Sequence, residues 1–247
     1  MVRVNPVDHR RGLELASRRL FLRGTLSIGA LSLLTGCNLE DDDTVDRVLS
    51  AMSRWNDRVQ AALFSRARLA PTYGEADITD PFPFNAYYPF DQVRHVDGGT
   101  WRLEVAGLIN ERRAWTLADL AALPQSSQIT RHICIEGWSA IGQWGGVPFR
   151  DFLARIGADT RARYVSFRCA DDYRSSIDMA TALHRQTLLA LTFRDAPLPA
   201  AYGYPVKLRV PTKLGFKNPK HIVAVEVTNV YPGGFWEDYG YNWFSGS

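Results

Sequence analysis

The most informative segment of the sequence is R-H-I-C-I-E-G-W-S-A-I-G-Q-W-G-G-V-P-F, residues 131–149. Its first residues alternate between polar and apolar side chains and predict a strand that ends at Cys134. The glycine- and tryptophan-rich residues after it predict a loop. Arg131 adds a fixed positive charge, and a thiolate beside such a charge can act as a nucleophile or as a soft metal ligand. A buried structural cysteine is the other interpretation, because free cysteine is among the most buried residue types.

Outward from this stretch, the first 37 residues have the features of an export signal. S-R-R-L-F-L-R at 17–23 is a twin-arginine motif, and the uncharged run after it is shorter than the about 20 apolar residues of a membrane span. L-T-G-C at 34–37 resembles a bacterial lipobox and predicts lipidation of Cys37, with cleavage of a signal without lipidation as the alternative. We therefore expect a protein that is exported already folded to the periplasm and held at the membrane by a lipid anchor.

The rest of the chain is predicted to form one domain behind a short tether. Residues 38–43 are acidic and predict a solvated tether, and residues 44–247 then form the domain. Residues 44–64 carry apolar side chains at helical spacing and predict an amphipathic helix that packs on this domain. Residues 1–37 hold six arginines and two acidic residues, so without them the net charge falls from +3 to −1. A net charge of −1 does not favour binding to nucleic acid or to an anionic membrane surface.

Short strands and few, short helices are predicted along the domain. Strands are expected at 101–105, 129–134, 164–169, 188–193, 206–210 and 221–230, and helices at 116–123 and 149–156. Thr116 would cap the first of these helices, with Asp119 completing a capping box. The set indicates an α+β fold with mixed sheets rather than a doubly wound sheet. G-x-G-x-x-G, P-loop and H-E-x-x-H motifs do not occur, so dinucleotide, nucleoside triphosphate and zinc-protease functions lose their usual support.

Two further features of the sequence have alternative interpretations. Cys134 and Cys169 could form a disulfide in an oxidising compartment, which is the main structural alternative to a functional thiol. P-T-K-L-G-F-K-N-P-K at 211–220 places three lysines around a glycine, an arrangement that suits a phosphate group. The same segment could equally be a solvated basic loop.

Five motifs in order resemble the molybdopterin-binding domain of the sulfite oxidase superfamily, in particular its bacterial periplasmic methionine sulfoxide reductases. The resemblance spans roughly Phe82 to Val227. The motifs are R-H-I-C-I-E-G-W at 131–138, the loop after it, A-D-D-Y-R-S-S at 170–176, A-P-L-P-x-x-Y-G-Y-P-V at 196–206, and the lysine-rich segment 211–220.

The resemblance implies a molybdenum–molybdopterin cofactor (Mo-MPT), with Cys134 as the sulfur ligand of the metal and Glu136 close to it. Arg131, Tyr173 and Trp144 are expected at the rim of the pocket. The implied cofactor contacts are Asn85, Tyr87, Tyr88, Cys134, Cys169, Lys207, Gly215, Phe216, Lys217 and Lys220. Two of these depart from the family pattern, because Cys169 stands where this branch tends to have threonine and Lys207 where the family often has arginine.

The predicted function is an oxidoreductase that transfers an oxygen atom, or the equivalent two electrons, to or from a small sulfur compound. Arg131, Arg168 and Arg174 would suit sulfite, and the many aromatic residues a sulfoxide, so the sequence leaves both substrates open. No C-x-x-C-H haem motif occurs, which predicts a separate electron-transfer partner such as a membrane cytochrome. The alternative is a non-enzymatic exported lipoprotein with a structural disulfide between Cys134 and Cys169.

Overall fold

The computed structural model describes residues 42–247, without the side chains of residues 42–45. The predicted export signal, Cys37 and residues 38–41 of the predicted tether lie outside the described residues. The described chain divides into two units, one ending at Met52 and one spanning Ser53–Ser247. No helix among the described residues has the length and apolar character of a membrane span.

The elements of the chain are short apart from the first helix. In chain order they are α1 (Asp42–Leu63), β1 (Glu104–Gly107), α2 (Leu117–Ala121), β2 (Ser126–Ile133), β3 (Ser139–Pro148), α3 (Phe149–Arg155), β4 (Tyr164–Cys169), β5 (Arg174–Asp178), α4 (Met179–Ala182), β6 (Leu188–Phe193), β7 (Ala196–Pro197), β8 (Lys207–Arg209), β9 (Ile222–Thr228) and α5 (Phe235–Asp238). Two mixed or antiparallel sheets with short helices confirm the predicted α+β class.

The first sheet has four strands in the order β1–β9–β4–β5. β1 runs parallel to β9, and the other two pairs are antiparallel. Val165 lies opposite Val227 and Phe167 opposite Val225, and all four side chains are buried. This alternation places one face of the sheet in the larger hydrophobic core, where Phe149 and Phe152 of α3 also pack.

The second sheet is antiparallel and carries the stretch around Cys134. β3 lies between β2 and β6, and the far edge of β6 pairs with β8 along its first half and with β7 along its second. This order brings the ends of β2 and β8 into one sheet although about 75 residues separate them.

Local signals in the sequence predicted several elements accurately. β4 and β6 have the predicted bounds. Thr116 caps α2 as expected, because its Oγ1 accepts a hydrogen bond from the Asp119 amide at 3.0 Å and Asp119 Oδ2 accepts one from the Thr116 amide at 2.8 Å.

The loop predicted after Cys134 is wrong, because residues 139–148 form β3, a ten-residue strand inside the sheet. Its glycines allow close packing rather than turns: a Cβ on Gly146 would lie 2.0 Å from the carbonyl oxygen of Leu189, and one on Gly145 would lie 2.4 Å from Thr192 Oγ1. Only residues 134–138 form a tight turn, with Gly137 at φ 92°. The sequence predicts a polar turn at residues 170–176, but Arg174–Ser176 belong to β5, which hydrogen-bonds to β4.

In the second unit, polar side chains rather than the apolar stripe connect α1 to the rest. Trp55 is 65% exposed and Leu63 80% exposed. Asp57 Oδ1 accepts a hydrogen bond from the Phe244 amide at 2.8 Å, and Gln60 Oε1 accepts one from the Gly246 amide at 2.9 Å. The prediction that this helix packs on the domain through its apolar face is therefore not confirmed for residues 53–63.

We expect Gly146→Ala to lower the free energy of unfolding by about 2–3 kcal/mol, because the new methyl group would meet a backbone carbonyl across β3 and β6. Urea unfolding measures this as a lower midpoint with an unchanged slope. Gly74→Ala is the control, since its Cβ would have no neighbour closer than 3.6 Å. Equal midpoints for the two variants would contradict the packing role of Gly146.

Candidate functional site

A cleft open to solvent lies beside the end of β2. It collects residues that are far apart in the sequence. Of the residues predicted to form the site, those lining the cleft are Asn85, Tyr87, Tyr88, Cys134, Glu136, Tyr173, Gly215, Phe216 and Lys220.

Cys134 is the first residue after β2 and faces the cleft from the tight turn. Its amide donates to the carbonyl of Trp138 at 2.9 Å, which closes the turn. Its Sγ lies 3.6 Å from Glu136 Oε2, and the same carboxylate oxygen accepts a hydrogen bond from Trp138 Nε1 at 2.8 Å. Burial raises the pKa of the Cys134 thiol above its usual value of 9.0; the backbone amide of Glu136 opposes this rise and the charge of its carboxylate adds to it. A bound cation would oppose both increases and favour the thiolate.

Arg131 does not lie with the residues that line this cleft. Strand alternation places its side chain on the opposite face of β2 from His132. The guanidinium carbon lies 5.2 Å from the centre of the Tyr73 ring, in a second cleft that also includes Ile133. Sequence separation alone suggested proximity to the thiol, but a spacing of three residues on a strand points the two side chains to different faces.

Aromatic side chains form one wall of the cleft. Tyr87 stacks on Tyr173 with ring centres 5.8 Å apart and 25° between the planes. Tyr88 donates to Asp171 Oδ2 at 2.9 Å, and Tyr173 donates to the Phe216 carbonyl at 2.8 Å. Burial, followed by the charge of Asp171, raises the pKa of Tyr87 to about 12. These phenols therefore stay neutral near pH 7 and act as hydrogen-bond donors with apolar ring faces.

The lysine-rich segment contributes backbone and one ammonium group to the cleft. Gly215 packs so closely on His132 that a Cβ there would lie 2.6 Å from the ring Nε2. Lys220 Nζ donates to the Asn85 and Ala201 carbonyls, the latter at 2.7 Å. Burial lowers the pKa of Lys220 to about 8. Lys217 lies in the same segment but does not line the cleft.

β8 adds two more buried cations behind the cleft. Arg209 donates to Asn218 Oδ1 at 3.1 Å and to the Arg131 carbonyl at 2.6 Å, and burial lowers its pKa to about 9. Lys207 has one long hydrogen bond, 3.4 Å to the Asn218 carbonyl. Burial first, then the charges of Lys220 and Arg209, lower the Lys207 pKa well below its usual value. The acidic residues of the described chain form no salt bridge with Lys207, Arg209 or Lys220.

Several buried nitrogen atoms in this region have no hydrogen-bond partner within the described chain: both ring nitrogens of His132, Nε of Arg209 and Nε1 of Trp144. The Trp144 ring lies under Lys207 Nζ and the Arg209 guanidinium, 5.4 and 5.9 Å from its centre. Buried polar groups are normally paired, so this arrangement fits a ligand that brings negative charge and hydrogen-bond acceptors. A phosphorylated pterin has both. His132 was not among the residues predicted for the site, although its place two residues before Cys134 puts it on the same face of the strand.

Cys169 and Cys134 are both buried free thiols, so the alternative disulfide is wrong for this structure. Cys169 ends β4, and its amide donates to the Tyr173 carbonyl at 3.0 Å. Burial, followed by Asp171, raises the pKa of its thiol well above the usual value. No group of three or more histidine, cysteine, aspartate or glutamate side chains in the described part of the chain could hold a metal ion.

Comparisons with known proteins agree with this geometry. Residues 90–236 match the family described as "oxidoreductase molybdopterin binding domain". A relative from Azospira oryzae, named as a protein-methionine-sulfoxide reductase subunit, YedZ1, is 61% identical over 235 residues, which are 95% of this chain and 90% of the relative. The protein-methionine-sulfoxide reductase catalytic subunit MsrP of Xanthomonas campestris is 32% identical over 154 residues, 56% of this chain and 48% of its own length.

A solved structure shares the fold. The sulfane dehydrogenase SoxCD from Paracoccus pantotrophus superposes with a TM-score of 0.53 over 56% of this chain and 40% of that chain, at 19% sequence identity. At this identity the likeness concerns the fold alone. This chain spans about half the length of the Xanthomonas relative.

The buried lysines predict an unusual pH dependence for protein prepared without cofactor. The pKa of Lys220 is about 8 in the folded chain and near 10.5 when unfolded, so between these values the unfolded chain binds more protons and stability rises with pH. We expect the free energy of unfolding to rise between pH 8 and 9 by about 1 kcal/mol more in the wild type than in Lys220→Met. Urea unfolding at both pH values measures this difference. Equal changes in the free energy of unfolding from pH 8 to pH 9 in the two proteins would contradict the burial of Lys220.

Proposed function

The chain belongs to the oxidoreductase molybdopterin-binding domain family, and we propose that it is a molybdenum enzyme that reduces a sulfoxide. The observation that carries this proposal is that Cys134 and Lys220 line one cleft, with the buried cations Lys207 and Arg209 behind it and no carboxylate paired with any of the three cations. A thiolate is a suitable ligand for a soft metal, and the cations suit the phosphate of molybdopterin. The names of the relatives point to a sulfoxide as the substrate.

Each part of the cleft would hold a different part of the group. Cys134 Sγ would bind the metal, and Lys207, Lys220 and Arg209 would balance the negative charge of the phosphate. Asn85, Tyr87 and Tyr88 would close the entrance, with Tyr88 fixed through Asp171. When bound, the molybdenum–molybdopterin group supplies two-electron oxygen-atom transfer.

The charges around the cleft favour a sulfoxide over sulfite. Sulfite would need several convergent cations, and Arg131 lies on the other face of β2. Arg168 is paired with Glu104 at 2.9 Å and Arg174 with Asp238, both on the surface. Apart from Lys220, which we assign to the phosphate, the charged residues that line the cleft are Glu136 and Asp171, and together with the aromatic rings they would disfavour an anionic substrate and accommodate a neutral sulfur compound.

Glu136 is the group that we assign to proton transfer. A sulfoxide takes up two electrons and two protons when it becomes a thioether and water. The Glu136 carboxylate is exposed, lines the cleft and lies 3.6 Å from Cys134 Sγ, so it can exchange protons with solvent and deliver one beside the reacting position. Trp138 Nε1 holds the same oxygen in place.

Sequence motifs support a location and partners for this enzyme. The twin-arginine motif supports export of the folded, cofactor-loaded protein to the periplasm, and the lipobox supports a lipid anchor at Cys37. The names of the relatives include the word subunit, which supports a separate partner subunit. A membrane cytochrome that supplies electrons fits an enzyme held at the membrane surface.

Metal analysis tests the assignment of the ligand. We expect about one molybdenum per chain in wild-type protein from a molybdenum-replete host. The molybdenum content should fall at least about tenfold in Cys134→Ala, because the removed thiolate leaves the metal without its protein ligand. It should not fall in Cys169→Ala. Elemental analysis and pterin fluorescence of the purified proteins give both values. Full molybdenum content in Cys134→Ala would overturn the proposed site.

Steady-state assays test the substrate. With an artificial electron donor or acceptor, we expect kcat/KM for methionine sulfoxide reduction to exceed that for sulfite oxidation by at least about tenfold, since the acidic and aromatic lining disfavours an anion. Cys134→Ala serves as the inactive control. Faster oxidation of sulfite would contradict the sulfoxide proposal while leaving the molybdenum assignment intact.

A further inference from the structure

Lys217 faces away from the cleft that the rest of its segment lines. Gly215, Phe216, Asn218, Pro219 and Lys220 all line the cleft, and Lys217 does not. Its Nζ donates instead to the Ser176 carbonyl at 2.9 Å and to the Glu237 carboxylate. Both side chains of this pair are 1% exposed. Two of the three donors of the ammonium group are therefore used by protein groups on the far side of the turn.

Glu237 belongs to α5, a helix that also contributes to the wall of the cleft. Trp236, its neighbour in sequence, lines the cleft, and the Phe235 ring centre lies 4.7 Å from that of Tyr87. The floor turn at 215–217 and the wall at 235–238 are thus joined behind the cleft by one ion pair. A second connection runs from the Tyr173 hydroxyl to the Phe216 carbonyl at 2.8 Å.

The residues around Lys217 and Glu237 separate this ion pair from solvent. Trp243 covers Lys217, with Nζ 5.1 Å from a ring centre, and donates through Nε1 to Ser176 Oγ at 2.8 Å. A Cβ on Gly234 would lie 2.1 Å from Glu237 Oε2, so only glycine allows the carboxylate to sit there. Removing one member of such a pair leaves an uncompensated buried charge, whereas replacing both with apolar groups of similar size is often tolerated.

We propose that Lys217 is a positioning residue rather than a ligand of the cofactor phosphate: paired with Glu237, it fixes the floor of the cleft against its wall and so slows cofactor release. This inference rests on the proposed function, because it assumes molybdopterin in this cleft. It differs from the role that family resemblance gave Lys217. Phosphate binding at this turn would come from the backbone of Gly215 and Phe216 and from Lys220.

The test measures release of pterin from purified holoprotein at 25 °C by fluorescence, with circular dichroism confirming that each variant stays folded. We expect at least a tenfold faster release in Glu237→Gln and in Lys217→Met. The double variant Lys217→Met/Glu237→Leu should release pterin at a rate within threefold of the wild type, because an apolar pair restores the contact. Asp238→Asn is the matched control on α5, since its partner Arg174 is half exposed, and it should leave the rate unchanged.

A direct phosphate ligand would behave differently. Lys217→Met and the double variant would then lose pterin equally fast, and Glu237→Gln would retain it as the wild type does; this pattern overturns the proposal. If Glu237→Gln does not fold, the comparison of Lys217→Met with the double variant decides alone. Wild-type protein that carries no molybdenum or pterin would instead overturn the proposed function itself.

Discussion

The structure around the cleft depends on positive charge that is buried without negative charge to balance it. Lys207 and Arg209 come from one short strand, and Lys220 from the segment beside it. Each is held by carbonyl or amide oxygens rather than by a carboxylate. Such groups destabilise a chain by itself, so their retention is explained by a ligand that brings the missing charge. This constraint links the sequence segment 207–220 to a phosphate-bearing cofactor more directly than the fold does.

Local patterns in the sequence were sufficient for much of the fold. Alternating apolar residues predicted the bounds of β4 and β6, and a serine-type cap with an acidic residue three positions later predicted the start of α2. Cys134 was correctly placed at the end of a strand. These features depend on residues close in sequence, where periodicity and capping decide the outcome. The motif set in fixed order predicted the family, and the match over residues 90–236 confirmed it.

Features set by distant parts of the chain were not predictable in this way. Gly145 and Gly146 suggested a loop, but they lie in a strand because Leu189 and Thr192 approach from the neighbouring strand. Arg131 was assigned by its distance in sequence, yet the pleat turns it to another face. His132 gave no sign of a role until Gly215 and the cations of β8 were seen beside it. Sequence periodicity specifies which residues share a face, and tertiary pairing decides what that face meets.

The sequence contains only four lysines, at positions 207, 213, 217 and 220, and all of them are buried. The basic side chains on the outside of the described chain are consequently arginines and histidines. Acylating reagents, reducing sugars and amine-directed crosslinkers attack primary amines, and Lys220, 7% exposed in the open cleft, is the lysine that they could reach in the folded protein. An adduct at Lys207, Lys213 or Lys217, each at most 2% exposed, would therefore indicate unfolding, and the outer surface offers guanidinium groups in place of lysine amines.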